Sequence, residues 1–392
     1  MTTLREKALL FHEEKQGKLE ICPKVKCENA ADLALAYTPG VAEPCKEIYQ
    51  DVSSAYRYTG KGNTVAIITD GTAVLGLGDI GPTAALPVME GKAILMKKFA
   101  NIDAFPICLD TKNTQEIIQI CKALAPGLGG INLEDISAPR CVEIERALIQ
   151  ELDIPVFHDD QHGTSIVVLA ALINYLRLHD KKPSELKVVI NGTGAAGSSV
   201  IRMLYQYGFC NIIAFDKDGC LKQDEKEQYD FLKQELLNYV NLENKEYASL
   251  SEAMVASDIF VGMSVGDIVS KEMVRSMSEK NIVIALANPI PEINYHDAKE
   301  AGAFIACTGR SDYPNQVNNL LAFPGIFRGA LDARGRKISE KAKQAAAIAI
   351  ASLIEDDNLS VEYMIPSPFD ERVVSVVSEA VKLVCLQENN KF

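Results

Sequence analysis

The sequence predicts an α/β fold built from two parallel-sheet domains, and three observations predict it. Short β-branched runs alternate with helical stretches from Thr64 onward, the pattern left in a chain by parallel strands joined through crossover helices. The runs of the first half each end in acid: Asp70, Asp110, Glu134 with Asp135, and Asp159 with Asp160. A glycine-rich turn then opens a second series of the same kind at Gly192.

In chain order, the first series places strands at 65–69, 104–109, 130–133 and 155–157, with helices at 83–100, 114–124 and 139–152 between them. Ligands of open parallel sheets sit outside the carboxyl ends of the strands, so these acids are candidates to converge on one crevice. An acid after a strand also caps the helix that follows, which is the preferred reading of Asp110. Residues 180–186, with Lys181, Lys182 and Pro183, form the loop into the second series. There a strand at 186–191 runs into Gly192-Thr193-Gly194-Ala195-Ala196-Gly197, followed by a helix at 198–207 and a strand at 211–215 that ends at Asp216. The GxGxxG spacing alone says little. With a strand before it, a helix after it and an acid about 20 residues on, it completes the dinucleotide fingerprint. The glycines allow a tight turn, the helix amino terminus faces a pyrophosphate, and Asp216 can accept hydrogen bonds from a ribose diol. The second domain is therefore expected to be of Rossmann type and to bind NAD or NADP, dividing the chain into 1–160 and 161–392. Strands at 259–262, 282–286 and 304–307 continue its sheet, and helices at 339–353 and 370–386 close the chain.

Composition limits the function. With 392 residues, 47% hydrophobic and 24% charged, the chain can bury a large core. A net charge of −13 and the absence of a concentrated basic patch argue against nucleic acid or an anionic membrane as partner. No apolar run reaches the roughly 18 residues that a membrane span requires. The first residues mix Arg5, Glu6 and Lys7 with apolar positions, unlike a secretion signal. Ten scattered cysteines without a close CxxC pair fit reduced thiols, so the expected location is cytoplasmic.

Two constellations carry chemistry. On a helix over 83–100, Lys92 shares a face with Leu95, Met96 and Phe99, so one lysine is aimed at the apolar side. Desolvation there disfavours its charged form and can leave a base near neutral pH; a lysine lying along the core edge with its ammonium in water is the plainer alternative. The second constellation pairs Asn132-Leu133-Glu134-Asp135-Ile136 with His158-Asp159-Asp160-Gln161-His162-Gly163-Thr164. Carboxylates at adjacent strand ends form a hard oxygen set suited to Mg²⁺ or Mn²⁺. His158 and His162 are read as hydrogen-bonding residues rather than ligands.

In this order, these pieces resemble the malic enzyme family, particularly its shorter bacterial-type branch, over nearly the whole chain. The resemblance is carried by Tyr37-Thr38-Pro39-Gly40-Val41-Ala42, Thr69-Asp70-Gly71 followed by Gly76-Leu77-Gly78-Asp79-Ile80-Gly81, Glu90-Gly91-Lys92-Ala93, Leu133-Glu134-Asp135-Ile136, the 159–164 run, the glycine loop, Ala287-Asn288-Pro289 and Val317-Asn318-Asn319. It implies L-malate as substrate, oxidised by NAD or NADP and decarboxylated to pyruvate and carbon dioxide. It makes Lys92 the general base and Tyr37 the general acid that protonates carbon 3. It makes Glu134, Asp135 and Asp160 the metal ligands. Asn288 and Asn319 would hold the substrate, with Asn318 beside them and Asp159 in the same shell as a hydrogen-bonding partner, and Asn288 would also lie near the cofactor. The longer-chain branch carries a carboxylate-gripping arginine shortly after its Thr-Asp-Gly motif, whereas Thr72-Ala73-Val74 stands here. Thr72, the metal and the asparagines would then grip malate, or a basic residue from elsewhere would. The family also implies a homodimer. The competing readings are a malolactic-type or oxaloacetate-decarboxylating member of the family and, from another class, a non-catalytic dinucleotide sensor. A sensor has no need of Lys92, Tyr37 or the acidic cluster.

Overall fold

The alternation of β-branched runs and amphipathic stretches folds into two open sheets in the computed structural model, which describes residues 3–74 and 76–389. The first sheet contains β1 (Thr64–Thr69), β2 (Asp103–Cys108), β3 (Gly130–Leu133) and β4 (Val156–His158), all parallel and in spatial order β2-β1-β3-β4. β1 and β3 are almost wholly buried, as expected for parallel strands covered on both faces. The order reverses between β1 and β3, and the carboxyl ends of β1, β3 and β4 deliver Asp70, Glu134 with Asp135, and Asp159 with Asp160 to one side.

The second sheet contains β5 (Lys187–Asn191), β6 (Asn211–Asp216), β7 (Gly219–Cys220), β8 (Ile259–Gly262), β9 (Ile282–Ala285) and β10 (Ile305–Thr308) in the order β10-β9-β8-β5-β6-β7. Its five longer strands are parallel, and the order reverses between β5 and β8, where the doubly wound fold binds its dinucleotide. β7 runs antiparallel to β6. Nothing in the residue pattern announces this strand, because two residues are too few to show a period.

Most predicted elements appear within one or two residues. The helix after the glycine loop is the larger departure: it spans Ala195–Tyr207, so Ala195, Ala196 and Gly197 form its first turn rather than part of the loop. A helix at Asp159–His179, not predicted, joins the sheets, and it is buried on nearly every side from Ser165 to Leu176. An all-round apolar helix has no amphipathic period for a sequence reading to detect. Its side chains share one core with Val65 and Phe157 of the first sheet, Val188 and Val261 of the second, and Val373 and Val377 of the final helix Arg372–Asn389. By contrast, the helices Leu4–Lys15, Ala30–Ala36 and Ala42–Gln50 bury no residue. Among the described residues, no helix is long and apolar enough to cross a membrane.

Candidate active site

Helix Pro82–Ala100 buries Ala85, Met89, Lys92, Ala93, Met96 and Ala100, so Lys92 does lie on the buried stripe. Its Nζ is 2.5 Å from Asp159 Oδ2 and 2.9 Å from Glu134 Oε1, and lies 4.3 Å from the centre of the Phe323 ring. Here the expectation of a base near neutral pH needs correction. Burial favours the neutral amine, but the Asp159 and Glu134 carboxylates outweigh it and raise the pKa of Lys92 above its ordinary value. Considering the chain's own groups alone, Lys92 is an ammonium.

Glu134 and Asp135 leave β3, and Asp159 and Asp160 open the helix behind β4, so two adjacent strand ends bring four carboxylates around one lysine. One carboxylate oxygen from each of Glu134, Asp135 and Asp160 lies within 4.8 Å of the others. The Asp135 amide donates to Asp160 Oδ2 at 2.9 Å, and Asn132 Nδ2 donates to Glu134 Oε2 at 2.8 Å. Burial, followed by the neighbouring Asp160 and Glu134 carboxylates, pushes Asp135 up to about 9. Burial also raises Glu134 and Asp160, and takes Asp159 to about 7 although Lys92 pulls it down. Asp135 Oδ2 and Asp159 Oδ1 are buried without a hydrogen-bond partner. An acidic cluster that must otherwise take up protons, and that keeps buried oxygens without a partner, suits a hard dication.

The raised carboxyl groups set a sign for pH. They hold protons between the ordinary carboxylate range and their raised values, and a cation must displace those protons. Affinity for Mn²⁺ is therefore expected to rise with pH from about 6 to about 9, with proton uptake by the buffer. Calorimetry in buffers of different ionisation enthalpy reads this directly. An affinity independent of pH, with no buffer dependence, would contradict the protonated cluster.

Asp70 does not join the cluster. Its Oδ2 pairs with Arg140 at 2.7 Å and its Oδ1 accepts from the Thr72 hydroxyl at 2.6 Å. Thr72 was a candidate grip for malate, but its hydroxyl gives its proton to Asp70 and accepts from the Ser137 amide and from Arg140, each at 3.0 Å. Nothing on that hydroxyl is left for a substrate. Asn319 is brought in, donating through Nδ2 to Asp159 Oδ2. Asn318 spends its side chain capping the turn that follows, accepting from the Leu320 amide at 2.9 Å. Asn288 is exposed on the loop after β9, and Pro289 beside it approaches Gly76 from the loop after β1. Tyr37 is not brought to the cluster: it ends helix Ala30–Ala36 with its side chain 67% exposed.

At the second sheet, a Cβ on Gly197 would sit 1.8 Å from the Gly192 carbonyl oxygen, so the turn closes only around glycine. A Cβ on Gly194 would meet nothing within 4 Å, which leaves the helix amino terminus open beside Thr193, Ala195 and Ala196. Asp216 ends β6 and forms an ion pair with Lys233 of helix Phe231–Leu236. The nearer lysines in sequence are occupied otherwise: Lys222 lies 3.1 Å from Glu225, and Lys217 is exposed. Of the two histidines, His158 has its Nδ1 3.9 Å from Asp160 Oδ2, while the ring of His162 is engaged elsewhere. His162 Nε2 lies 2.8 Å from Glu145 and its Nδ1 is 3.1 Å from Ser199, with Lys343 Nζ 3.1 Å away.

Several of these partners escaped the sequence reading: Phe323, Arg140, Lys233, Glu145 and Lys343. Arg140 stood in plain view five residues after Asp135, but helix Arg140–Glu151 begins with it, and a basic first residue carries no signal of a partner 70 positions earlier. For Lys233 and Lys343 the pairing is tertiary, and no spacing announces it.

Comparison with known proteins follows the same two-part layout. The profile of "Malic enzyme, N-terminal domain" matches residues 16–149, and that of "Malic enzyme, NAD binding domain" matches residues 161–385. The bifunctional malic/malolactic enzyme of Bacillus subtilis is 54% identical over 98% of this chain and 94% of its own length. The NADP-dependent malic enzyme of Escherichia coli is 44% identical over 98% of this chain and 52% of its own. Among solved structures, the NAD-dependent malic enzyme of Thermotoga maritima superposes with a TM-score of 0.92 at 47% identity, covering 96% of this chain and 98% of that one. The malic enzyme of Pyrococcus horikoshii gives 0.94 at 47% identity, over 99% and 92%.

Proposed function

The chain belongs to the malic enzyme family, and from that premise we infer that it is an oxidoreductase converting L-malate to pyruvate and carbon dioxide with reduction of NAD or NADP. The observation that carries this reading is Lys92, buried between Asp159 and Glu134 beside a carboxylate trio, at the carboxyl edge of the first sheet.

We read Glu134, Asp135 and Asp160 as the residues that would hold Mg²⁺ or Mn²⁺. When bound, the ion would supply Lewis-acid stabilisation of the negative charge that develops on the substrate, and would offset the negative field that keeps Lys92 protonated. Lys92 would take the proton of the malate hydroxyl, and a dinucleotide held at the second sheet would supply the acceptor for the hydride of carbon 2. Asp159 holds Lys92 through Oδ2, and Asn319 donates to the same oxygen. Asn288 and Asn319 orient malate, with Asn318 supporting the turn between them and the cofactor. Tyr37, held away from the carboxylate cluster within one copy of the chain, would give its proton to carbon 3 where a second copy carries it to the site.

Tyr37 lies in a stretch where Ile21 is 88% exposed, Leu35 81% and Tyr49 91%. Such a row of uncovered apolar side chains suits an interface between two copies of this chain, which would also bury Tyr37; we propose a homodimer on that basis. The free thiols at all ten cysteines support a cytoplasmic location. Residues 1–160 and 161–392 are the two functional units of this reading, one for malate and metal and one for the dinucleotide.

Incubation with L-malate, Mn²⁺ and NAD or NADP in turn tests the assignment. The expected result is reduced nicotinamide and pyruvate in equal amounts. Lactate formed without accumulation of reduced cofactor would favour the malolactic reading, to which the name of the Bacillus subtilis relative lends weight.

Cofactor choice should turn on Asp216 and Lys233. The Asp216 carboxylate suits the ribose diol of NAD and repels an added phosphate, whereas Lys233 beside it attracts one. We expect a modest preference for NAD, about 1–2 kcal/mol in relative kcat/KM. Asp216→Ser removes the repulsion and frees Lys233, so the ratio of efficiencies should move about tenfold toward NADP. A ratio that stays where it was would remove Asp216 from the pocket.

A further inference from the structure

We propose that Asp70, Thr72 and Arg140 form a clamp that positions Asp135 for metal binding, an inference that rests on reading Glu134, Asp135 and Asp160 as the metal ligands. The Thr69-Asp70-Gly71 motif stands out in the sequence, yet the mechanism uses none of its side chains.

Asp135 needs such support. Its φ of 52° lies in the left-handed region, which costs a non-glycine residue energy even though Asp enters it more readily than most. Its carbonyl accepts from the Ala73 amide at 2.9 Å, so the strand-end loop of β3 is tied directly to that of β1. Two residues later, the Ser137 amide donates to the Thr72 hydroxyl at 3.0 Å, making a second tie between the same loops. Both ties depend on the conformation of residues 71–73, and Asp70 sets it: its Oδ1 accepts from the Thr72 amide at 3.1 Å and from the Thr72 hydroxyl at 2.6 Å. Arg140 completes the device from beyond the other loop. Its guanidinium donates to Asp70 Oδ2 at 2.7 Å, Thr72 Oγ1 at 3.0 Å and Ser137 Oγ at 3.3 Å, and to the Lys112 carbonyl at 2.8 Å. Asp70 is fully buried, and Arg140 is the cation that balances it.

The same geometry argues against Arg140 as the missing grip on the malate carboxylate. One terminal nitrogen is committed to three oxygens of the clamp and the other to a backbone carbonyl, so recruiting it would strip a buried aspartate of its counter-charge. These three residues are therefore positioning residues. They act through the loops that carry a metal ligand.

Removing a group that orients a metal ligand typically costs ten- to hundred-fold in metal affinity, about the size of effect expected here. The test is Mn²⁺ binding to the enzyme without malate or nucleotide, read from the paramagnetic resonance signal of free Mn²⁺, with NAD affinity by calorimetry as a control for an intact fold. Arg140→Gln and Thr72→Val should weaken Mn²⁺ binding about tenfold or more and leave NAD affinity unchanged, while Thr72→Ser, which keeps the hydroxyl, should match the wild type. Thr72→Val keeps Asp70 and its ion pair, so the clamp stays testable even where Asp70→Asn fails to fold. Wild-type Mn²⁺ affinity in both Arg140→Gln and Thr72→Val overturns the clamp. A raised KM for malate at unchanged Mn²⁺ affinity overturns it too, and gives Arg140 to the substrate. A wild-type enzyme that takes up no Mn²⁺ sinks the metal-site reading, and the clamp with it.

Discussion

Replacing Lys92 with alanine is expected to lower kcat for malate oxidation by about 10²- to 10⁴-fold, the usual contribution of a positioned general base. The proton on the malate hydroxyl would then have to leave to water in a site that largely excludes it. The substitution also strips Glu134 and Asp159 of their shared cation, and breaking a buried pair by removing one partner costs roughly 3–5 kcal/mol. Protonation of those carboxyls, whose affinity for protons is already raised, absorbs part of that cost. The chemical role and the structural role are separable. Added small primary amines should restore part of the rate in Lys92→Ala if a base is what was lost. A melting temperature that collapses together with activity, with no rescue by any amine, would reduce Lys92 to a counter-ion.

Loss of the dication should have an effect of similar size. Exhaustive chelation is expected to abolish turnover with either nucleotide, and Asp135→Ala should stay well below wild-type activity at millimolar Mn²⁺. The variant lacks one of three carboxylates and the inward-facing oxygen that has no other partner. Adding metal can compensate for weak binding, but it cannot rebuild the alignment of the remaining ligands. Full activity in a chelated, metal-free preparation would refute the assignment of Glu134, Asp135 and Asp160.

What the sequence made legible was whatever depends on period and order. Strand ends at Asp70, Glu134 and Asp159 could be read because parallel strands are short apolar runs with polar termini, and the dinucleotide turn because its glycines are forced by contacts as close as that between Gly197 and the Gly192 carbonyl. The burial of Lys92 followed from its place on a helix face. Its protonation did not, since that depends on Asp159 and Glu134, 67 and 42 residues away, whose distance no periodicity encodes. Thr72 illustrates the same limit: a hydroxyl next to a binding motif looks available until its three partners are known. The helix Asp159–His179 escaped notice because it is apolar on all sides, which removes the contrast that marks a helix in sequence.

That helix also decides how the molecule comes apart. Its first turn supplies Asp159 and Asp160 to the edge of one sheet, while the rest of its length, roughly 30 Å in all at 1.5 Å per residue, lies in a core shared with the other sheet. Neither sheet can lose its order without exposing the flank of this rod, and exposing the rod removes apolar cover from both. The two halves are therefore expected to unfold as a single cooperative unit, with the backbone amides between Ser165 and Leu176 exchanging only as the whole chain opens. A nick in the chain between the sheets would leave no independent half, because the carboxylates of one are rooted in the interior of the other.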